Sequence, residues 1–204
     1  RQQGTAKEGD SCDYVMMMLV DMENPGLVVY PTHRVVRDLP CFDEREVLDA
    51  CGEYFDIVSG LSLEEGADRL QQAYAMGQKA FVFYAGGTAS LLTLRDESVM
   101  AGLLPKASAA LRGLDVSVLH SLVLERIFGI DKANMANQLN LAYTRVAQEA
   151  LAAVDGGEAN CCFLLNPTRV SEIRDVAAAG EKMPQKSTYF YPKLITGLVM
   201  NRFA

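Results

Sequence analysis

Two apolar runs, Phe81-Val82-Phe83-Tyr84 and Ser90-Leu91-Leu92-Thr93-Leu94, stand on either side of Gly86-Gly87. Glycines accept the positive φ that a two-residue turn demands, so the stretch predicts a tight β-hairpin and a chain built in part on antiparallel pairing. A phosphate-binding loop is the competing reading. No Lys-Ser or Lys-Thr follows the glycines, and the residues after them have the pattern of a strand, so the hairpin is preferred.

Residues 13–21 form another apolar run of strand length, 27–30 a second, and Asn24-Pro25-Gly26 between them is turn chemistry. Together they predict a hairpin that leads into Pro31-Thr32-His33-Arg34. Asp43 is placed to cap a helix running through Cys51, with a short strand at 54–58 after it. Ser62 caps a second helix, where Leu63, Ala67, Leu70 and Tyr74 recur at helical spacing up to Gly77. Over 115–129, Val116, Leu119, Val123 and Ile127 share one face, with Asp115 at the N-cap and Gly129 as the stop. A strand at 139–143, a helix at 144–154, a buried strand at 161–165 and a helix at 168–179 ending at Gly180 give the order of a βαβ crossover.

The expected fold class is therefore α+β (mixed α/β), with a β-hairpin-rich front half followed by a βαβ-like helical back half. The expected division is 1–12 as the end of a preceding segment and a loop, 13–95 as the hairpin-rich part, 96–110 as a polar loop seam, and 111–204 as the helical part. The first residues, Arg1-Gln2-Gln3, read like a helix end running into a surface loop, so the chain is expected to continue a longer one.

Charge narrows the function classes. With 26 acidic against 19 basic residues the net charge is −7, a poor footprint for holding nucleic acid or an anionic membrane. The five cysteines form no Cys-x-x-Cys pair, which points to reduced thiols in the cytoplasm. Adjacent Cys161 and Cys162 must face opposite sides of their strand and read as core filler. No apolar run reaches the length of a membrane span. Two histidines far apart, without a His-Glu-x-x-His motif, give no resident metal site, although the Mg²⁺ of a nucleotide needs only one or two carboxylates beside the phosphates.

Composition does not explain residues 180–193, which carry Lys182, Lys186 and Lys193, Ser187 and Thr188, Tyr189 and Tyr191, and two prolines without any periodicity. Lys186, Ser187 and Thr188 offer an ammonium, two hydroxyls and successive N–H groups, the set a phosphate or carboxylate oxygen takes. Tyr189 and Tyr191 can stack on a base or position a hydroxyl, and Lys193 can add a second positive charge. The plain alternative is a chain-end strap with its aromatics in the core and its lysines in water. His33 can serve as acid, base or donor and Arg34 can clamp an anion, unless Arg34 is a surface salt-bridge partner. His120 projects onto the flank of the apolar face of its helix, either as a core histidine or as a site residue.

Met183-Pro184-Gln185-Lys186-Ser187-Thr188-Tyr189-Phe190-Tyr191-Pro192-Lys193-Leu194, followed by Thr196-Gly197-Leu198-Val199, resembles the C-terminal signature of the bacterial domain-of-unknown-function family 1015. Pro31-Thr32-His33-Arg34, Leu114-Asp115-Val116 with Leu119-His120, and Asn166-Pro167-Thr168 resemble its other blocks in the same order. The resemblance implies an upstream Asp-Gly-His-His-Arg block, which this sequence lacks, and makes the chain the C-terminal half of a longer protein. That block is similar to the phosphate-handling motif of the ParB and sulfiredoxin-like nucleotide-binding fold, which includes kinases acting on free serine, and the family is associated with serine biosynthesis.

The resemblance thus implies an ATP- or ADP-dependent small-molecule kinase, with L-serine as the leading substrate and Mg²⁺ accompanying the nucleotide. Arg34, Lys186, Ser187, Thr188 and Lys193 would hold phosphate, Lys186 and Lys193 would stabilise phosphoryl charge, His33 or His120 would act as base, and Tyr189 and Tyr191 would orient substrate. The fragment alone would be inactive, since the rest of the site would lie on the missing N-terminal half. Competing classes are a non-catalytic regulator that binds a nucleotide or amino acid, and a structural domain that packs on a twin as a homodimer or on the missing half.

Overall fold

In the computed structural model, which describes Lys7, Asp10, Asp13, residues 17–193 and Gly197, the chain divides into two units, Val29–Tyr189 and Arg1–Val28 with Phe190–Ala204. In chain order the elements are β1 (Val28–Tyr30), β2 (His33–Val36), α1 (Glu44–Cys51), β3 (Phe55–Leu61), α2 (Leu63–Ala75), β4 (Ala80–Ala85) and β5 (Thr88–Leu94). There follow α3 (Val99–Leu103), α4 (Ala109–Arg112) and α5 (Asp115–Val118), which runs on without a break into a π-helix at Leu119–Ile127. The chain then forms α6 (Lys132–Asn137), β6 (Leu141–Thr144), α7 (Ala147–Asp155), β7 (Cys161–Leu164), α8 (Val170–Ala178) and β8 (Tyr189–Tyr191).

The local signals act as their chemistry dictates. The Asp43 carboxylate accepts from the Arg45 and Glu46 N–H groups and starts α1. Ser62 and Glu65 close a reciprocal capping box on α2, and Gly77 leaves that helix at a φ of 75°. Gly86 and Gly87 both take positive φ, 54° and 78°, and turn β4 into β5.

Six strands form one antiparallel sheet in the order β3-β5-β4-β7-β2-β6. Strands β6 and β7 lie on either side of β2 and both run against it, so they are parallel to each other with α7 as the crossover. The expected βαβ order is therefore present as a split unit with a front-half strand inserted in it. Front and back halves interleave in one sheet instead of following one another.

Alternation along the strands gives the sheet two apolar faces. Val36, Phe81, Phe83, Cys161 and Phe163 pack with Leu119, Leu122 and Val123 of the π-helix. Val35, Val82, Tyr84, Cys162 and Leu164 pack with Leu70 and Ala73 of α2 and Ala150 of α7. Cys161 and Cys162 thus fill opposite layers, and burial pushes the Cys162 thiol up to about 12 and that of Cys161 well above its ordinary value.

Three expectations are corrected. The stretch 96–110, expected as a loop seam, holds α3 and the start of α4 and lies inside the larger unit. Residues 17–21, expected within a strand, form none, and Met17 and Leu19 are exposed at 74% and 90%; the remainder of that run lies largely outside the described residues. The Asn24 turn does form, its side-chain oxygen accepting from the Gly26 N–H at 2.8 Å. Residues 180–193, read without strand periodicity, contain the short strand β8.

Candidate functional site

Thr32 leads into β2, whose first residues are His33 and Arg34. Neighbours in a strand point to opposite faces, so His33 and Arg34 cannot clamp one ligand together. His33 is buried and its Nδ1 accepts from the Leu165 N–H at 3.2 Å, which places its ring proton on Nε2. Burial, and then the Arg34 charge, lower its pKa to about 4.

Arg34 points to the face covered by the π-helix and is 1% exposed. Its Nε and Nη2 donate to Nε2 of His120 at 3.3 and 3.2 Å, Nη2 also to the Lys186 carbonyl at 3.2 Å, and Nη1 to the Thr32 carbonyl. The guanidinium carbon lies 5.5 Å from the centre of the Tyr143 ring, the cross-strand neighbour of Arg34. No carboxylate among the described residues pairs with Arg34. Burial lowers its pKa to about 10, so it stays charged at neutral pH.

An isolated charge in an apolar interior is costly, and dipoles of carbonyls and of one imidazole offset only part of that cost. His120 is an acceptor here, so it is neutral and carries its proton on Nδ1. Desolvation first, and the Arg34 charge second, lower its pKa to about 3. Each histidine is thus neutral, with one ring nitrogen engaged as an acceptor within the fold.

The 180–193 segment reaches Arg34 through its backbone. Lys186 has a left-handed φ of 56° in the turn that the Ser187 N–H closes on the Pro184 carbonyl at 3.2 Å, and its carbonyl faces Arg34. The Thr168 hydroxyl fastens the same turn by donating to the Ser187 carbonyl at 3.1 Å. Ser187 itself is 5% exposed, and its hydroxyl bonds to nothing among the described residues. The Tyr143 hydroxyl is buried without a partner in the same way. Such orphaned hydroxyls are uncommon and call for a ligand or water.

A cleft of about 430 Å³ is lined by Thr32, Tyr143, Arg145, Glu149, Lys186 and Thr188, with Tyr189 in its wall. The Arg145 guanidinium sits 4.0 Å from the centre of the Tyr189 ring, so Tyr189 carries an arginine on a face that a base would otherwise take. Glu149 accepts from the Thr144 hydroxyl. Tyr191 and Lys193 fall within the smaller unit and are exposed.

The structure thus gathers Arg34, His120, Lys186, Thr188 and Tyr189 in the larger unit, with Ser187 in the same turn, and puts His33 on the opposite sheet face. Tyr143 and Arg145 were missed by sequence reasoning. Only the pairing of β6 with β2, which no local pattern announces, brings them in. Among the described residues no group of three or more His, Cys, Asp or Glu could hold a metal ion, and no helix is long and apolar enough to cross a membrane.

A family model described as a protein of unknown function, DUF1015, matches residues 1–117. That span takes in His33, Arg34 and Asp115 but neither His120 nor 180–193. No curated protein matches the sequence. Solved structures that match include a conserved hypothetical protein from Pyrococcus furiosus, at 15% identity over 85% of this chain and 60% of that one, with a TM-score of 0.49. A free serine kinase in complex with AMP matches at 17% identity over 85% and 57%, with a TM-score of 0.48. A mutant of a free serine kinase in complex with ADP matches at 16% over 85% and 57%, with a TM-score of 0.47. The chain spans less than two thirds of the length of these structures.

Proposed function

The chain belongs to the DUF1015 family of proteins of unknown function, and we propose that it supplies the anion-holding part of a nucleotide-dependent small-molecule kinase, with a free L-serine-like amino acid as acceptor. The observation that carries this is Arg34, a buried guanidinium with no carboxylate partner among the described residues, set beside a cleft rimmed by two further cations. A phosphate group arriving there supplies the missing negative charge in a setting of low dielectric, where the attraction is strongest.

Phosphoryl transfer rests mainly on positioning and on charge stabilisation. Arg34 acts as a fixed charge that orients His120 and the Lys186 turn. The Lys186 ammonium and the Arg145 guanidinium, which line the cleft, hold phosphate oxygens, and Tyr189 supports Arg145 from behind. Thr32 and Thr188 offer hydroxyls. Glu149 is the carboxylate that lines this cleft, and one carboxylate beside phosphate oxygens fits a nucleotide-borne Mg²⁺, which would neutralise charge on the phosphates when bound. The acceptor's base would belong to the segment that the family carries upstream.

The test uses the full-length protein with ATP or ADP and a panel of hydroxyl-bearing amino acids, following the phosphorylated product by phosphorus NMR. Phosphoserine above the rate of the Lys186→Ala variant is the expected outcome. No turnover with any acceptor, together with no ADP binding by calorimetry, overturns the proposal. A second reading, a non-catalytic nucleotide sensor, is favoured by the weak basicity of both histidines; ADP binding without turnover would select it.

A further inference from the structure

Tyr143 also lines a second cleft, of about 300 Å³, which shares no other residue with the first. It lies against the π-helix, and His120, Lys132 and Lys182 are part of its wall. We propose that this cleft binds a small organic acid, whose carboxylate is received by the Nδ1–H of His120, the Tyr143 hydroxyl and Lys182, and whose apolar body lies on Leu111, Met135 and Pro184.

Four observations define that ligand. Nε2 of His120 is taken by Arg34, and Nδ1 bonds to nothing among the described residues, so the ring presents a donor backed by a buried positive charge. The Tyr143 hydroxyl is a buried group still in want of a partner. Lys132 and Lys182 outnumber Glu125, the carboxylate of this cleft, which leaves one net positive charge and so matches a monoanion better than a phosphate. Leucine, methionine and proline complete the wall, and a compact apolar body displaces water from them.

This inference does not rest on the kinase reading, and the experiment separates the two. Benzoate, benzamide and inorganic phosphate are titrated by calorimetry into the full chain and into its Lys182→Ala and Lys186→Ala variants. Both lysines are exposed, so neither substitution disturbs the core. Benzoate should bind and the uncharged benzamide should not. Lys182→Ala should weaken benzoate about fivefold, the worth of one partly exposed ion pair, and leave phosphate unchanged, while Lys186→Ala should do the reverse. Equal binding of benzamide, no benzoate binding at about 10 mM, or loss of benzoate binding in Lys186→Ala alone would overturn the second site. Loss of the phosphate arm with benzoate binding intact would sink only the kinase reading.

Discussion

At the scale of single residues, Arg34 stands out in the larger unit, because its burial and its lack of a carboxylate partner among the described residues are both unfavourable without a ligand. Phosphate should therefore raise the melting temperature of the wild type and leave Arg34→Met unmoved, by differential scanning fluorimetry. Without ligand, the relief of an unpaired charge and the loss of its hydrogen bonds oppose each other, so Arg34→Met should shift stability by no more than about 2 kcal/mol. Asp115 makes a separate, pH-dependent contribution. Burial raises its pKa from 3.8 to about 7 against the opposing charge of Lys79, with Glu172, Arg169 and Glu97 also in range and Lys79 held to Glu172 at 3.3 Å. The folded state keeps this proton where the unfolded chain gives it up, so the stabilisation is complete below pH 3.8 and is lost as pH rises towards 7. Urea midpoints of Asp115→Asn relative to wild type should accordingly climb between about pH 4 and 8; a constant difference would show that Asp115 is ionised in the fold. The two histidines slope the other way. Neutral when folded, they lose stability as pH falls from 6.5 through about 4 and 3. The sequence made Arg34 and His120 visible as candidates by residue type. Their contact was not visible, because it needs the phase of β2 and the wider turn of the π-helix together.

Elements were legible where a short-range signal controls them. The caps at Asp43 and Ser62 and the Gly86-Gly87 turn are such signals, each acting over a few residues. Gly87→Ala tests the turn: nothing lies within contact of the added methyl, but its φ of 78° strains any residue with a Cβ. The substitution should cost about 1 kcal/mol by urea denaturation with no change in anion binding. The failures share a cause as well. Residues 17–21 are apolar enough for a strand yet form none, since a strand needs a partner that its own sequence cannot specify. The helix over 115–129 was expected on a regular period, and its apolar residues Val116, Leu119 and Val123 are buried as that period requires. Within it the Phe128 N–H bonds back to the Val123 carbonyl, five residues away, an over-wide turn that a hydrophobic period does not encode.

Across the whole molecule, the acidic balance of −7 coexists with a small cationic cleft, so the net charge describes the surface as seen from afar and not the site. The interleaved sheet is the other large-scale feature. Strand β2 bonds only to β6 and β7 within that sheet, and both lie more than a hundred residues downstream of it. A chain emerging from the ribosome has the β4–β5 hairpin and α2 well before the strands that flank Arg34, and the Lys186 carbonyl that accepts from Arg34 comes later still. Closure of such distant loops is slow, and the hydrated guanidinium has to be stripped of water in that last step. Desolvation of the charge around which the candidate site is built thus depends on segments far from Arg34 in sequence.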